Sequence, residues 1–75
     1  MKKATLYSTE SCPNCKVAQA LLTLKGYSVD YLVIGKDITK DAFWAKNPSV
    51  RSVPYVVLDS GGQFEGLPNL RKYLT

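Results

Sequence analysis

Residues 4–34, ATLYSTESCPNCKVAQALLTLKGYSVDYLVI, decide the fold that this sequence predicts. The segment begins with a short β-type run at residues 4–7 and ends with an alternating run at residues 27–34, which is typical of a strand with one buried face. Between them, residues 13–25 repeat apolar side chains at helical spacing, and Gly26 follows as a stop signal. A strand, a helix and a second strand form a βαβ unit, so we expect parallel strands with a right-handed crossover.

The predicted helix has an apolar face that we expect to pack on the sheet. Val17, Leu21 and Leu24 recur at i, i+4 and i+7, which is the spacing of one side of a helix. Ala18 and Leu22 would widen the same face. The sequence therefore predicts one apolar face of the helix, which these five side chains share.

A second, shorter helix is predicted after the βαβ unit. Asp37 or Thr39 would cap its start, and the Asn47-Pro48 pair would end it after about residue 46. Trp44, the only tryptophan, is interpreted as a partly buried anchor of the core rather than as a substrate contact.

The last third of the chain predicts a hairpin and a final helix. Residues 53–58 form a dense β-run, residues 59–62 carry a turn signal, and residues 63–65 return as a brief strand. Leu67, Leu70 and Leu74 then share one face of a short helix. The predicted order of elements is β-α-β-α-β-β-α, an α/β arrangement.

Length and charge limit the classes of function. Seventy-five residues predict one domain spanning residues 1–75, with a thin core and a shallow groove for a substrate. The formal net charge of +4 is mild, and without clustered basic residues it does not predict nucleic-acid binding. No secretory leader and no membrane span are predicted, so we expect a cytoplasmic protein without membrane contact.

The chemistry is expected at Cys12 and Cys15, the only two cysteines. If a helix begins at Pro13, Cys12 lies at its N-terminus, where free N–H groups and the helix dipole favour a thiolate. Lys16, one turn further on, could add to this effect. Cys15 would face more into the protein, so we expect Cys12 to attack a substrate disulfide and Cys15 to resolve the mixed disulfide.

Three other interpretations of the two cysteines remain open. A structural disulfide at this spacing closes a very small loop and stabilises little. A zinc site needs four ligands, and the chain has two cysteines and no histidine, so a metal or iron–sulfur site would need a dimer. An interaction module with incidental cysteines is the third. Without added ligands we predict no metal site, and a reducing cytosol favours a catalytic Cys-x-x-Cys motif.

The whole chain resembles the glutaredoxins, members of the thioredoxin-fold superfamily. The segments that carry the resemblance are Leu6-Tyr7-Ser8, Cys12-Pro13-Asn14-Cys15, Ser52-Val53-Pro54-Tyr55, and Gly66 before the last helix. The resemblance implies a thioredoxin-like (glutaredoxin) fold, a four-stranded mixed sheet flanked by helices. It also implies a cis Val53–Pro54 peptide bond beside the active-site cysteine.

The resemblance further implies a glutathione-binding groove. In this family the backbone of the residue at Val53 pairs with the cysteinyl part of glutathione, and the segment that holds the γ-glutamyl group corresponds to residues 65–69. A lysine common in the family is Thr9 here, so Lys16 or Arg51 would have to replace its charge. The residues expected to line the groove are Tyr7, Pro13, Asn14, Arg51, Val53, Pro54 and Asn69.

The expected function is that of a monomeric dithiol oxidoreductase with no bound cofactor. Its implied substrates are protein disulfides, ribonucleotide reductase among them, and glutathione mixed disulfides, with glutathione as co-substrate. Residues 64–68 also resemble, loosely, glutaredoxin-like redoxins that take electrons from thioredoxin reductase, and the small size resembles phage glutaredoxins. The electron donor stays open between glutathione and thioredoxin reductase.

Overall fold

The computed structural model describes residues 2–50 and 53–74, and it confirms the predicted order of elements. None of the described helices is long and apolar enough to cross a membrane. The elements are β1 (Lys2–Ser8), α1 (Pro13–Leu24), β2 (Tyr27–Val33), α2 (Lys40–Lys46), β3 (Tyr55–Leu58), β4 (Gln63–Glu65) and α3 (Leu67–Leu74).

The four strands form one mixed sheet in the order β2-β1-β3-β4. β1 is central: it pairs in parallel with β2 and antiparallel with β3, so that Leu6 lies between Tyr31 and Val56. β3 and β4 form the predicted antiparallel hairpin. The parallel β1–β2 pair around α1 confirms the βαβ unit, and the mixed sheet confirms the thioredoxin-like fold.

Alternation along the strands divides the core into two layers, one on each face of the sheet. In β1 and β3, every second side chain points to one face of the sheet and packs against α1 and α3. The other side chains of these strands point to the opposite face, where α2 lies. The aliphatic layer comprises Ala4, Leu6, Ala18, Leu22, Val56, Leu58 and Leu70. The aromatic layer comprises Ile34, Phe43, Val50 and Tyr55, with the partly buried Tyr7, Ile38, Val53 and Val57 against them.

The ends of the helices follow the chemistry of their capping residues. Pro13 occupies the first turn of α1, where its missing N–H costs no hydrogen bond, and Cys12 is the N-cap. After α1, Gly26 adopts φ 89°, a left-handed conformation that glycine adopts without strain. Thr39, one of the two predicted caps, begins α2 by accepting a hydrogen bond from the N–H of Ala42 at 3.1 Å.

The predicted apolar face of α1 is confirmed at Ala18 and Leu22 but wrong at Val17 and Leu24. Val17 is 47% exposed and Leu24 is 79% exposed, whereas Cys15, Ala18 and Leu22 are fully buried. Successive residues of an α-helix turn by about 100°, so these three lie on nearly the opposite side of α1 from Val17 and Leu24. The helix has apolar residues on two sides. The side that packs on β1, β2 and α3 is the one with Ala18 and Leu22.

Trp44 is less buried than a core anchor would be, with 40% of its surface exposed. The indole meets the Phe43 ring edge-on, with ring centres 4.9 Å apart. Its Nε1–H donates to the carbonyl oxygen of Val50 at 2.8 Å. The side chain therefore covers the outside of the aromatic layer and keeps a large part of the ring in solvent.

Candidate active site

The two cysteines follow the end of β1 that pairs with the start of β3. Tyr7 of β1 pairs with Tyr55 of β3, so the carboxyl end of β1 and the amino end of β3 meet. The chain leaves β1 at Ser8 and reaches α1 through a short loop. Pro54 immediately precedes β3. The topology therefore brings the start of α1 and the Val53–Pro54 peptide bond to the same end of the sheet.

Cys12 and Cys15 form a disulfide in this structure, with their Cα atoms 5.3 Å apart. The Sγ atom of Cys12 also accepts a hydrogen bond from the backbone N–H of Cys15 at 3.1 Å. Cys12 is half-buried, whereas Cys15 is fully buried. Of the two cysteines, Cys12 therefore offers surface to an incoming molecule and Cys15 offers none.

The surroundings of Cys12 favour a negative charge on its sulfur once the disulfide is reduced. The first-turn N–H groups of α1 point toward the N-cap, and one of them already donates to Sγ. The first turn of α1 contains no acidic residue that would oppose this charge. These features favour the thiolate, the form that attacks disulfides.

Lys16, the expected second source of positive charge, lies over the ring of Tyr31. Its Nζ atom is 4.9 Å from the ring centre, a cation–π distance. Tyr31 belongs to β2, so this contact directs the ammonium group of Lys16 toward the β2 side of α1.

The expected cis Val53–Pro54 peptide bond is present. Pro54 is buried, and its carbonyl oxygen accepts a hydrogen bond from the N–H of Gly66 at 2.8 Å. Val53 is half-buried and packs on the aromatic layer, as does Tyr7, whose ring centre lies 4.9 Å from that of Phe43. The bond to Gly66 joins the start of β3 to the start of α3, and nothing in the sequence pattern had indicated it.

The other expected groove residues are distributed more widely. Pro13 and Asn14 are exposed on the first turn of α1. Asn69 is exposed on α3 and donates its Nδ2–H to the carbonyl oxygen of Glu65 at 2.7 Å. Arg51 lies outside the described residues. Asn69 thus lies four residues after Glu65 along the chain and is bonded back to it.

Asn69 also lines an open cavity of about 340 Å³ between β4 and α3. Neither cysteine contributes to its lining, which consists of Gln63, Phe64, Glu65, Asn69, Lys72 and Tyr73. This cavity is therefore separate from the disulfide.

Ser8 has a position that the sequence pattern did not predict, since the predicted first strand spans residues 4–7. It is instead the last residue of β1 and is fully buried, and its Oγ atom lies 3.4 Å from the carbonyl oxygen of Leu32. The signal was present in the alternation, because Ala4, Leu6 and Ser8 share one side of the strand. Ser8 continues the packed core up to the loop that carries Cys12.

Within residues 2–50 and 53–74, no three His, Cys, Asp or Glu side chains lie close enough together to hold a metal ion. The sulfur atoms of Cys12 and Cys15 can undergo thiol–disulfide exchange. A redox-active disulfide at the start of a helix, packed on a β2-β1-β3-β4 mixed sheet, defines a thiol–disulfide oxidoreductase of the thioredoxin fold.

Comparison with known proteins identifies the family. The sequence family described as the glutathione S-transferase N-terminal domain matches residues 6–73. Glutaredoxin 3 of Escherichia coli K12 is 33% identical over 60 residues, which cover 80% of this chain and 72% of that protein. The chain therefore belongs to the family of this transferase domain, as a glutaredoxin-type member with the thioredoxin fold.

Solved structures show the same fold. The glutaredoxin-like protein NrdH-redoxin from Escherichia coli superposes with a TM-score of 0.73 at 16% identity, over 97% of this chain and 95% of that one. A glutathione S-transferase from Xanthobacter autotrophicus superposes with a TM-score of 0.70 at 27% identity. That alignment covers 95% of this chain and 36% of the transferase.

Proposed function

We propose that this protein reduces protein disulfides and glutathione mixed disulfides, with Cys12 as the nucleophile and Cys15 as the resolving thiol. The observation that carries the proposal is the difference between the two sulfurs: Cys12 is accessible and capped by the N–H of Cys15, and Cys15 is fully buried. A nucleophile must meet its substrate, whereas a resolving thiol needs to reach only the first sulfur.

The reaction proceeds in two exchanges. The thiolate of Cys12 attacks one sulfur of the substrate disulfide, and the other sulfur leaves as a thiolate that takes up a proton. Cys15, on losing its proton, then attacks Cys12, and the second substrate sulfur leaves and is protonated. Two electrons have moved to the substrate, and the Cys12–Cys15 disulfide remains until a dithiol or two monothiols reduce it.

The residues around the disulfide would bind the substrate. The backbone of Val53, beside the cis bond to Pro54, would pair with the cysteinyl part of glutathione in a strand-like contact. Tyr7, Pro13, Asn14, Arg51 and Asn69 would line the rest of the groove. Support comes from the family and from the topology that brings Pro54 and α1 to one end of the sheet.

A redoxin that takes electrons from thioredoxin reductase is the second candidate. Asn69 favours this second candidate, because its side chain is neutral and its Nδ2–H already donates to the backbone carbonyl oxygen of Glu65. A neutral amide gives no charge partner to the ammonium group of glutathione. In both versions the protein acts as a monomer, and ribonucleotide reductase is a candidate protein substrate.

Substitution of each cysteine tests the assignment of roles. Cys12→Ser should abolish disulfide reduction, because the accessible sulfur is lost. The matched variant Cys15→Ser should instead accumulate a mixed disulfide with a protein substrate, detectable by non-reducing electrophoresis and mass spectrometry. Reduction that persists in Cys12→Ser, or trapping by Cys12→Ser rather than Cys15→Ser, would refute these roles.

The electron donor can be decided by a coupled assay that follows NADPH oxidation. One arm contains glutathione and glutathione reductase, and the other contains thioredoxin reductase. Turnover in the first arm supports the glutaredoxin cycle. Turnover in the second arm alone would assign the chain to the thioredoxin-reductase-dependent redoxins.

A further inference from the structure

The solvent side of α1 carries a continuous apolar stripe formed by Pro13, Val17, Ala20 and Leu24. All four are exposed, Val17 by 47% and Leu24 by 79%. At about 100° per residue the four lie within roughly 60° of one another around the helix axis, and they extend over about 16 Å along it. Leu21, half-buried, lies at one margin of the stripe.

This stripe is not the face that holds α1 in the fold. Cys15, Ala18 and Leu22 are fully buried, and their common direction lies roughly 160° around the helix from the stripe. A surface helix of a globular protein is usually polar on its outer side, and a helix that is apolar on all sides is usually covered on all sides. Among the described residues, α1 packs against β1, β2 and α3, and its fully buried side chains are Cys15, Ala18 and Leu22.

The stripe begins inside the redox motif. Pro13, its first member, stands between the two cysteines and directly follows Cys12. A protein whose disulfide reaches the accessible sulfur of Cys12 must also lie close to the exposed first turn of α1. The stripe is thus continuous with the surface at which disulfide exchange takes place.

Charge beside the stripe also favours a protein partner of a particular kind. α1 contains no acidic residue, and Lys16 lies at one margin of the stripe near its N-terminal end, with its ammonium group over the ring of Tyr31. A partner segment with apolar side chains and acidic neighbours would match both features.

We propose that this stripe is a docking surface for disulfide-bearing protein substrates, which place an apolar segment along α1 while their disulfide meets Cys12. The proposal rests on the proposed function, since it assumes that protein disulfides are reduced at Cys12. It adds a second contact area that a small disulfide is too short to reach. The stripe therefore raises the rate of reaction with protein disulfides and leaves the rate with small disulfides unchanged.

The test compares two disulfides in single-turnover reactions of the pre-reduced protein. Bovine insulin is the protein disulfide, and 5,5′-dithiobis(2-nitrobenzoic acid) is the small one. Val17→Gln/Leu24→Gln should lower the second-order rate constant for insulin by at least about fivefold, since a few side chains carry most of the binding energy of an interface and these two are the large apolar side chains of the stripe. The rate constant for the small disulfide should be unchanged. Thr23→Gln, an exposed change on the same helix outside the stripe, should alter neither rate.

Each other outcome has a separate meaning. An unchanged insulin rate in the double variant overturns the docking proposal and leaves the proposed function intact. If the unsubstituted protein reduces neither disulfide, the proposed function itself is overturned. Sedimentation measures the oligomeric state of both proteins. If the unsubstituted protein is a dimer and the double variant is a monomer, the proposal is overturned, because the stripe then binds a second copy of this chain. A fall of the melting temperature by more than about 5 °C also overturns it, because the stripe would then be packed within the fold.

Discussion

The two layers of the core differ in chemistry although they share the same central strands. The aliphatic layer contains no polar side-chain atom among its members, and it is closed by α1 and α3. The aromatic layer under α2 includes the rings of Tyr7, Phe43 and Tyr55, which lie 4.9 to 6.1 Å apart, and Trp44 covers it from outside. Its hydroxyl and indole groups bring polar chemistry to the side of the sheet on which Val53 packs.

This difference assigns the layers different roles. The aliphatic layer fixes the position of α1, and with it the buried sulfur of Cys15, mainly through fully buried aliphatic side chains, with Tyr27 and Tyr31 packed against them. The aromatic layer supports the peptide before Pro54 through rings whose polar groups need specific partners. We therefore expect the aliphatic side chains to dominate stability at neutral pH, and the tyrosines packed on either layer to give the pH effects.

The largest effect is expected from a truncation in the aliphatic layer. Leu22→Ala should lower the free energy of unfolding by about 2–5 kcal/mol, because it leaves a cavity at a fully buried position. Urea denaturation at pH 7 measures this. The matched control Leu24→Ala, on the same helix but 79% exposed, should change it by less than about 0.5 kcal/mol. Equal losses in the two variants would contradict the assignment of the buried face of α1.

A smaller effect is expected from the outside of the aromatic layer. Trp44→Phe keeps an aromatic ring against Phe43 but removes the hydrogen bond from Nε1 to the oxygen of Val50. The free energy of unfolding should fall by about 0.5–1.5 kcal/mol. Circular dichroism during urea unfolding measures it, since the variant has no tryptophan fluorescence. An unchanged value would mean that this hydrogen bond does not stabilise the layer.

The smallest effect should appear only at alkaline pH. Burial, followed by the nearby Tyr7 and Glu65, raises the pKa of Tyr55 above its ordinary value of about 10. The unfolded chain therefore loses this proton first, and stability should fall as pH rises from about 10 through the native pKa. Tyr55→Phe should make that fall less steep in unfolding curves recorded between pH 8 and 11. The same slope in both proteins would contradict the prediction.

Tyr27 provides an internal comparison for that experiment. Burial, and then its hydrogen bond with Tyr73, raises the pKa of Tyr27 as well. Part of the alkaline slope should therefore remain in Tyr55→Phe and decrease further in Tyr27→Phe/Tyr55→Phe.

The order of the elements could be predicted from the sequence because each boundary has a local cause. Pro13, Gly26 and Thr39 act on their own segments of backbone, so their effect does not depend on the rest of the fold. The buried side of α1 could not be predicted in this way. Val17, Leu21 and Leu24 satisfy the helical spacing as well as Ala18 and Leu22 do, and only the shape of the sheet selects between the two faces.

The site was predictable to a similar degree. The motif at Cys12 and Cys15 and the helix that follows it indicate the reaction class, and the structure shows the two sulfurs bonded with unequal exposure. The bond from Gly66 to the oxygen of Pro54 joins residues that are distant in sequence, and the cation–π contact of Lys16 depends on the register of β2. Such contacts arise from tertiary packing, which no local pattern specifies.

The two edges of the sheet differ in how readily they could recruit another chain. β4 is only three residues long and passes through Gly66 directly into α3, so it offers a very short template for strand addition. β2 is the longer edge, with seven residues, and its outward-facing positions include the charged Asp30. A charge in an edge strand opposes edge-to-edge pairing. Because β2 is the longer edge, we expect self-association into aggregates to begin there. Because Asp30 opposes this pairing, we expect its neutralisation to promote aggregation.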